Sequence, residues 1–156
     1  MTDAEMPSSV RFERPSTRHR FTARRAFVVD VDAPAEAFVR VTVTGPDLHD
    51  LVADGPADHI RVYFPHPDSG ELVAPAAAGP GEDGIVAAER PAFARDFTPL
   101  HVRRAGGRVA VDIDILQHED PGPAALWAAG AVPGDELVLV GPRTSRSAPQ
   151  RAPRVL

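Results

Sequence analysis

Arg108-Val109-Ala110-Val111-Asp112-Ile113-Asp114-Ile115-Leu116 is the stretch of sequence that decides the fold. Its β-branched residues at 109, 111, 113 and 115 share one face of an extended chain, while the two aspartates share the other. This alternation is typical of an antiparallel strand with one buried face. Gly106-Gly107 supplies a tight turn directly before it, and residues 98–103 supply a preceding strand. The segment therefore predicts a β-hairpin.

The same pattern recurs on both sides of this hairpin. Further strands are predicted at residues 21–31, 37–44, 59–64 and 136–140, with turn signals between them. A single short helix is predicted at residues 123–129, since Pro123 stands at its start and Gly130 just past its end. Six or seven short strands and one helix predict an all-β fold. We expect a closed antiparallel Greek-key barrel, and an open sandwich is the alternative.

The predicted domain division is simple. Residues 1–17 are polar with two prolines and are expected to be a disordered N-terminal tail. Residues 18–142 hold all the periodic segments and form the barrel domain. Residues 143–156 are an Arg- and Pro-rich C-terminal tail without periodicity.

Composition excludes several functions. The 156-residue chain contains no cysteine, and all 17 basic residues are arginine, so thiolate chemistry and lysine chemistry are ruled out. Residues 26–142 carry seven arginines and nineteen acids, a net charge of −12, which argues against a nucleic-acid binder. No apolar run approaches the length of a membrane span, and the N-terminus lacks the layout of a signal peptide. We therefore expect a cytoplasmic protein. The six histidines show no ligand spacing, so no metal site is predicted.

Arg95-Asp96-Phe97-Thr98-Pro99-Leu100, just before the hairpin, is the first candidate site. It places a cation, an aromatic ring and a hydroxyl within four residues, a combination that suits a flat ligand with an anionic tail. The alternative is a strand start with a core phenylalanine and a surface arginine.

The start of the helix is the second candidate. Gly122 and Pro123 lead into a helix N-terminus, where unpaired N–H groups favour an anion. Glu119 and Asp120 would repel a phosphate unless they point to solvent. The alternative is that residues 121–123 only turn the chain while Trp127 caps the barrel.

Arg95-Asp96-Phe97-Thr98 resembles the R-x-Y-T motif of ferredoxin-reductase-like flavin domains. Its surroundings are similar to the FAD-binding domain of siderophore-interacting proteins, the ferric-siderophore reductases. The further segments that carry the resemblance, in the family's order, are residues 39–48, 57–65, 111–118, 122–128 and 133–135. It covers roughly residues 20–145. Phe97 replaces the family's usual tyrosine, and Ala125 stands where serine is frequent.

The resemblance implies a barrel of the ferredoxin-reductase FAD-binding type and a role for each matching residue. Arg95 would pair with the FAD diphosphate, Phe97 would lie against the isoalloxazine, and Thr98 would hydrogen-bond near its reactive nitrogen. The remaining implied cofactor-binding residues are His118, Gly122, Pro123, Ala124 and Trp127. No residue is assigned a catalytic role, because the cofactor supplies the chemistry.

The implied activity is electron transfer from NAD(P)H through FAD to iron(III) in a siderophore, with release of iron(II). Family members normally continue into a C-terminal nicotinamide-binding domain, which this sequence does not contain. A separate reductase domain or protein is therefore expected to supply the electrons. The alternative is a non-catalytic flavin-binding or interaction barrel, a relic without reductase activity.

Overall fold

The computed structural model describes residues 14–147, which are mostly β-strand with one α-helix. The strands are β1 (Ser16–Arg18), β2 (Ala23–Ala35), β3 (Phe38–Thr44), β4 (Ile60–Phe64), β5 (Ala76–Ala77), β6 (Ile85–Val86), β7 (Phe93–Phe97), β8 (Leu100–Ala105), β9 (Arg108–Leu116), β10 (Glu136–Val140) and β11 (Thr144–Arg146). The helix α1 spans Pro123–Ala129, and a 3-10 helix spans Pro46–Asp50. The predicted hairpin and α-helix are confirmed.

Seven strands form one antiparallel sheet in the order β7-β4-β10-β2-β3-β9-β8. The β8–β9 hairpin turns at Gly106 and Gly107, whose φ angles of 57° and 75° a side chain would disfavour. The β-branched residues of β9 at 109, 111, 113 and 115 are at most 3% exposed. Alternation along this strand therefore identified its buried face correctly.

The two ends of this sheet meet without pairing. β7 and β8 occupy opposite ends of the strand order, yet only Thr98 and Pro99 separate them in the chain. Such a link spans at most about 11 Å, so the sheet curls until its edges are neighbours. Pro99 has no N–H to donate, and a β-bulge between Leu100 and Arg103 interrupts β8. Among residues 14–147 no ladder joins β7 to β8, so the predicted closed barrel is not observed. We call this gap the seam.

The core lies inside the curled sheet. Inward side chains of β2, β3, β4, β9 and β10 form one buried cluster, joined by Leu48, Leu51, Ala124 and Ala128. Because a single cluster collects residues from five strands and from α1, the sheet wraps around its own inner face. α1 packs against this cluster near the seam.

Part of each predicted tail is ordered. β1 pairs with β11, which joins residues 16–18 to residues 144–146. Ser145 is 3% exposed, donates a hydrogen bond to Asp58, and lies 2.6 Å from His19 Nε2 through its Oγ. The rest of the two predicted tails, residues 1–13 and 148–156, lies outside the described residues. Within the described part of the chain, no helix is both long and apolar enough to cross a bilayer.

Candidate functional site

A cleft of about 260 Å³ lies beside the seam, between the edge of β7, the end of β9 and the start of α1, and we call it the seam cleft. Its wall combines a cation, an aromatic ring, a helix start and an apolar strand end. The lining residues are Arg95, Asp96, Phe97, Ile115, Leu116, His118, Gly122, Ala124 and Ala125. The two candidate segments of the sequence therefore meet in one place.

Arg95 provides the cation of the seam cleft. It lies on β7 opposite Val62 of β4, on the face that Phe97 shares. Its Nη1 donates to the carbonyl of Ala94 at 2.7 Å, and no carboxylate of residues 14–147 pairs with it. An exposed guanidinium with unused donors is suited to bidentate contact with a phosphate.

Asp96 would oppose an anion in the cleft if its charge were unpaired. Arg61 donates to both of its carboxylate oxygens, at 2.8 Å and 3.1 Å, across the β4–β7 ladder. This hydrogen bonding lowers the pKa of Asp96, so the carboxylate is ionised and its charge is matched at neutral pH. The pairing leaves Arg95 as the cation that faces the cleft.

Three aromatic rings form the floor beneath the cleft. Phe64 of β4 is buried, and its ring centroid lies 6.0 Å from that of Phe97 in an edge-to-face arrangement. Trp127 of α1 tilts against Phe64 at 5.1 Å. Phe97 is held by this packing while it remains half-buried at the cleft. One ring of the cluster is thus available to a planar ligand.

The start of α1 forms the opposite wall. Gly122 is the N-cap residue with φ −74° and ψ 177°, a conformation that any residue adopts. A Cβ added there would meet no atom within 4 Å. The fold therefore does not require glycine at this position, whereas a group approaching the backbone N–H groups of α1 would benefit from it.

Five of the eight predicted cofactor-binding residues line the seam cleft: Arg95, Phe97, His118, Gly122 and Ala124. The other three do not: Thr98 is exposed beyond the end of β7, Pro123 is the first residue of α1, and Trp127 packs inward. Sequence reasoning missed Asp96, Ile115, Leu116 and Ala125 as lining residues. Ile115 and Leu116 are the last two residues of β9, and α1 follows after a short link. The predicted end of β9 was therefore the sequence signal that could have placed them near the helix.

The aspartates on the outer face of β9 serve cross-strand ties. Asp112 accepts two hydrogen bonds from Arg103, one from Thr42 and one contact from His101 Nδ1, all within 2.8–2.9 Å. The Arg103 guanidinium, followed by the other donors, holds the pKa of Asp112 well below its usual range. Asp114 is bonded to Arg40 of β3 in the same manner. These carboxylates stabilise the bulged end of the sheet beside the seam.

Comparison with known proteins places this geometry in context. Residues 27–146 match the family model described as the siderophore-interacting FAD-binding domain. An NADPH-dependent ferric-chelate reductase of Escherichia coli K12 is 35% identical over 134 residues, which are 85% of this chain and 50% of that protein. The ferric vibriobactin reductase ViuB of Vibrio cholerae is 35% identical over 104 residues, 67% of this chain and 36% of that protein.

Among solved structures, a siderophore utilization protein from T. fusca superimposes with a TM-score of 0.76 at 32% identity. The alignment covers 88% of this chain and 51% of that one. The chain thus spans about half the length, or less, of the relatives it matches.

Proposed function

The chain belongs to the family of siderophore-interacting FAD-binding domains, and on that premise we propose that it holds FAD at the seam cleft and passes electrons to a ferric siderophore. The observation that carries the proposal is the meeting of Arg95, Phe97 and the N-terminus of α1 around one cleft. These groups come from two separate elements, β7 and α1, and they suit the planar ring system and the diphosphate of one cofactor.

The residues present fit this cofactor chemically. Arg95 has donors free for a diphosphate oxygen, and Phe97 offers a ring face or edge to the isoalloxazine. The open space at Gly122 lets a phosphate approach the backbone of α1. Glu119 and Asp120, which precede the helix, are both exposed to solvent, and Asp96 is neutralised by Arg61. No unpaired carboxylate among the lining residues opposes an anion.

The seam cleft is smaller than a site that encloses a whole ligand, since such pockets have volumes of about 300–1,000 Å³. We therefore assign to it only a part of FAD, the flavin ring system and the adjoining phosphate. The remaining part of the cofactor would extend outside the cleft. The part of the flavin outside the cleft would then remain accessible to an electron donor and an acceptor.

When bound, FAD supplies the conversion of a two-electron hydride donor into single electrons for iron(III). Iron(III) is held by hard oxygen chelators more tightly than iron(II), so its reduction loosens the metal from the siderophore. The residues of this chain position the cofactor and need not contact the metal. Among residues 14–147 all paired strands are antiparallel, so this part of the chain has none of the parallel β-α-β units of a nicotinamide-binding domain. We propose that a separate nicotinamide-binding domain or protein delivers the hydride from NAD(P)H.

The first test is a titration of the purified chain with FAD, followed by absorption and flavin fluorescence. We expect a bound-flavin absorption spectrum with altered vibronic structure and a change in flavin fluorescence on binding. A colourless protein that leaves the spectrum of FAD unchanged would refute the proposal.

The second test separates binding from electron transfer. The FAD complex is reduced chemically without oxygen and mixed with a ferric siderophore, and an iron(II)-specific chromophore reports the product. We expect iron(II) to form when the reduced complex is mixed with the ferric siderophore. We expect none when NADPH is added to the siderophore in place of the reduced complex. A complex that binds FAD but transfers no electrons would instead identify a non-catalytic flavin-binding barrel.

A further inference from the structure

A second groove lies on the outer face of the sheet, against β2 and β10. It consists of two adjoining cavities of about 470 Å³ and 330 Å³, which share Ala23, Asp47 and Ala77. β10 and β2 lie near the middle of the strand order, whereas the seam lies at its ends. This outer groove has no lining residue in common with the seam cleft. It is a separate site.

The smaller cavity contains an unpaired buried hydroxyl. Thr22 lies in its wall and is 1% exposed, and its Oγ1 has no hydrogen-bond partner among the described residues. Hydroxyls buried to this degree are normally paired, because an unpaired one loses its bonds to water without replacement. A ligand in the cavity would supply the missing partner.

Two arginines in the same wall differ in how many of their side-chain nitrogens already donate a hydrogen bond. Arg24 uses all three of its nitrogens, on Asp50, on the carbonyl of Gly141 and on that of Arg20. Arg20 uses only Nε, which donates to Asp50 at 2.8 Å. Within residues 14–147, its Nη1 and Nη2 have no acceptor. Arg20 and Thr22 both line the smaller cavity, so a ligand held there could contact these donors and the hydroxyl together.

Asp47 stands where the two cavities join, and its carboxylate accepts the backbone N–H of Arg25 at 3.1 Å. Its negative charge disfavours a second anionic group where the cavities join. The larger cavity is mainly apolar. Its apolar wall consists of Leu72, Ala74, Pro75, Ala76, Ala77 and Val138. An exposed ion pair between Arg25 and Glu136, 2.7 Å long, lies at its rim.

We propose that the outer groove binds a small molecule with an oxyanion head and an apolar body. The head, a carboxylate or a phosphate, lies on Arg20 and Thr22, and the body lies against the alanine- and proline-rich wall. The outer groove does not depend on flavin binding. Experiments can therefore refute the proposal for the outer groove without affecting the proposal for the seam cleft, and the reverse also holds.

Four probes test the ligand class by calorimetry or ligand-observed NMR: benzoate, phenyl phosphate, benzamide and inorganic phosphate. We expect at least one of the two aromatic anions to bind, and the better one identifies the head group. Benzamide, which keeps the body and lacks the charge, and inorganic phosphate, which lacks the body, should each bind at least tenfold more weakly. Equal binding of benzoate and benzamide would overturn the proposal. So would displacement of the bound anion by FAD, because the groove would then belong to the flavin site.

Two variants test the residues. Arg20→Gln should lower affinity for the preferred anion about tenfold, with Arg108→Gln as a control of equal charge change outside the groove. Thr22→Val is nearly isosteric and removes the unpaired hydroxyl. It should raise the melting temperature of the free protein and reduce the affinity for the anion. A lower melting temperature for Thr22→Val would show that the hydroxyl is satisfied in the free protein, and the inference would fail.

Discussion

Replacing Gly122 with alanine tests whether glycine at this position is needed for folding or for ligand binding. The backbone at this position has φ −74° and ψ 177°, and an added Cβ meets no atom within 4 Å. Alanine therefore fits the free protein, and we expect a change in unfolding free energy within about 1 kcal/mol, as for exchanges at helix N-caps. A phosphate seated on the N–H groups of α1 would be pushed outward by the new methyl group.

The expected effect on FAD follows from the hydrogen bond that is lost. A bond between a backbone N–H and a charged acceptor contributes about 1.5–3 kcal/mol. Losing one such bond raises the dissociation constant of FAD about 10- to 150-fold. The measurement is a fluorescence titration of FAD at fixed ionic strength, together with urea unfolding of the same preparation.

Gly55→Ala is the matched control, because its Cβ would lie 2.6 Å from Asp58 Oδ1 and 2.7 Å from the carbonyl oxygen of Arg146. It should destabilise the fold by about 1–3 kcal/mol and leave the affinity of the folded fraction for FAD unchanged. If Gly122→Ala binds FAD as tightly as the parent protein, no phosphate lies on this helix, and that part of the site assignment is wrong.

Three further outcomes are expected. Arg95→Gln should weaken FAD binding about tenfold or more in a fluorescence titration. Arg90→Gln, outside the cleft, should leave FAD binding unchanged, and equal losses of affinity in the two variants would contradict a specific role for Arg95. The hydrogen bond from Ser145 to Asp58, which we call the clasp, ties the C-terminal segment to the loop before β4. Ser145→Ala leaves the carboxylate of Asp58 short of a donor and should lower the free energy of unfolding in urea by about 1–3 kcal/mol, and an unchanged midpoint would show that the clasp is dispensable. Burial alone would raise the pKa of Asp50, but two arginine hydrogen bonds outweigh it and lower the pKa to about 2. The stability from this group is therefore present above about pH 4 and lost as the pH falls towards 2, a loss that Asp50→Asn should remove from the pH profile of the urea midpoint.

Strands with one buried face were predictable from residues alone. The alternation in β9 and the double glycine of its hairpin determine both the element and its register, and the predicted bounds of β9, β10 and α1 agree with the structure. The ends of β2 and β8 were less accurate. Val29 is 47% exposed and Asp30 and Asp32 are polar, so the second half of β2 lacks a clear apolar face, although it pairs with β3.

Contacts between distant segments were not predictable in the same way. The seam depends on Pro99 and on a bulge whose backbone includes His101 at φ 45°, and neither alters the hydrophobic pattern. The clasp of Ser145 joins polar residues 87 positions apart, so a search for periodicity assigned them to a tail and a loop. From residue types alone, the segment of Arg95 and the helix start at Gly122 were two separate candidate sites. The resemblance to a family indicated that both belong to one cofactor site.

The seam also bears on how this protein avoids self-association. Strand edges that lack a partner invite pairing with strands of another molecule, and charged side chains on such edges oppose it. β7 carries Arg95 and Asp96, and β8 carries Arg103 and Arg104, so both edges are guarded by charge. Arg95 would then have two roles. It would bind an anion, and its charge would oppose pairing of the β7 edge with a strand of another molecule. If FAD occupies the seam cleft as proposed, we expect the free protein to be more prone to strand-to-strand association than its cofactor complex, and we expect Arg95→Gln to increase that tendency.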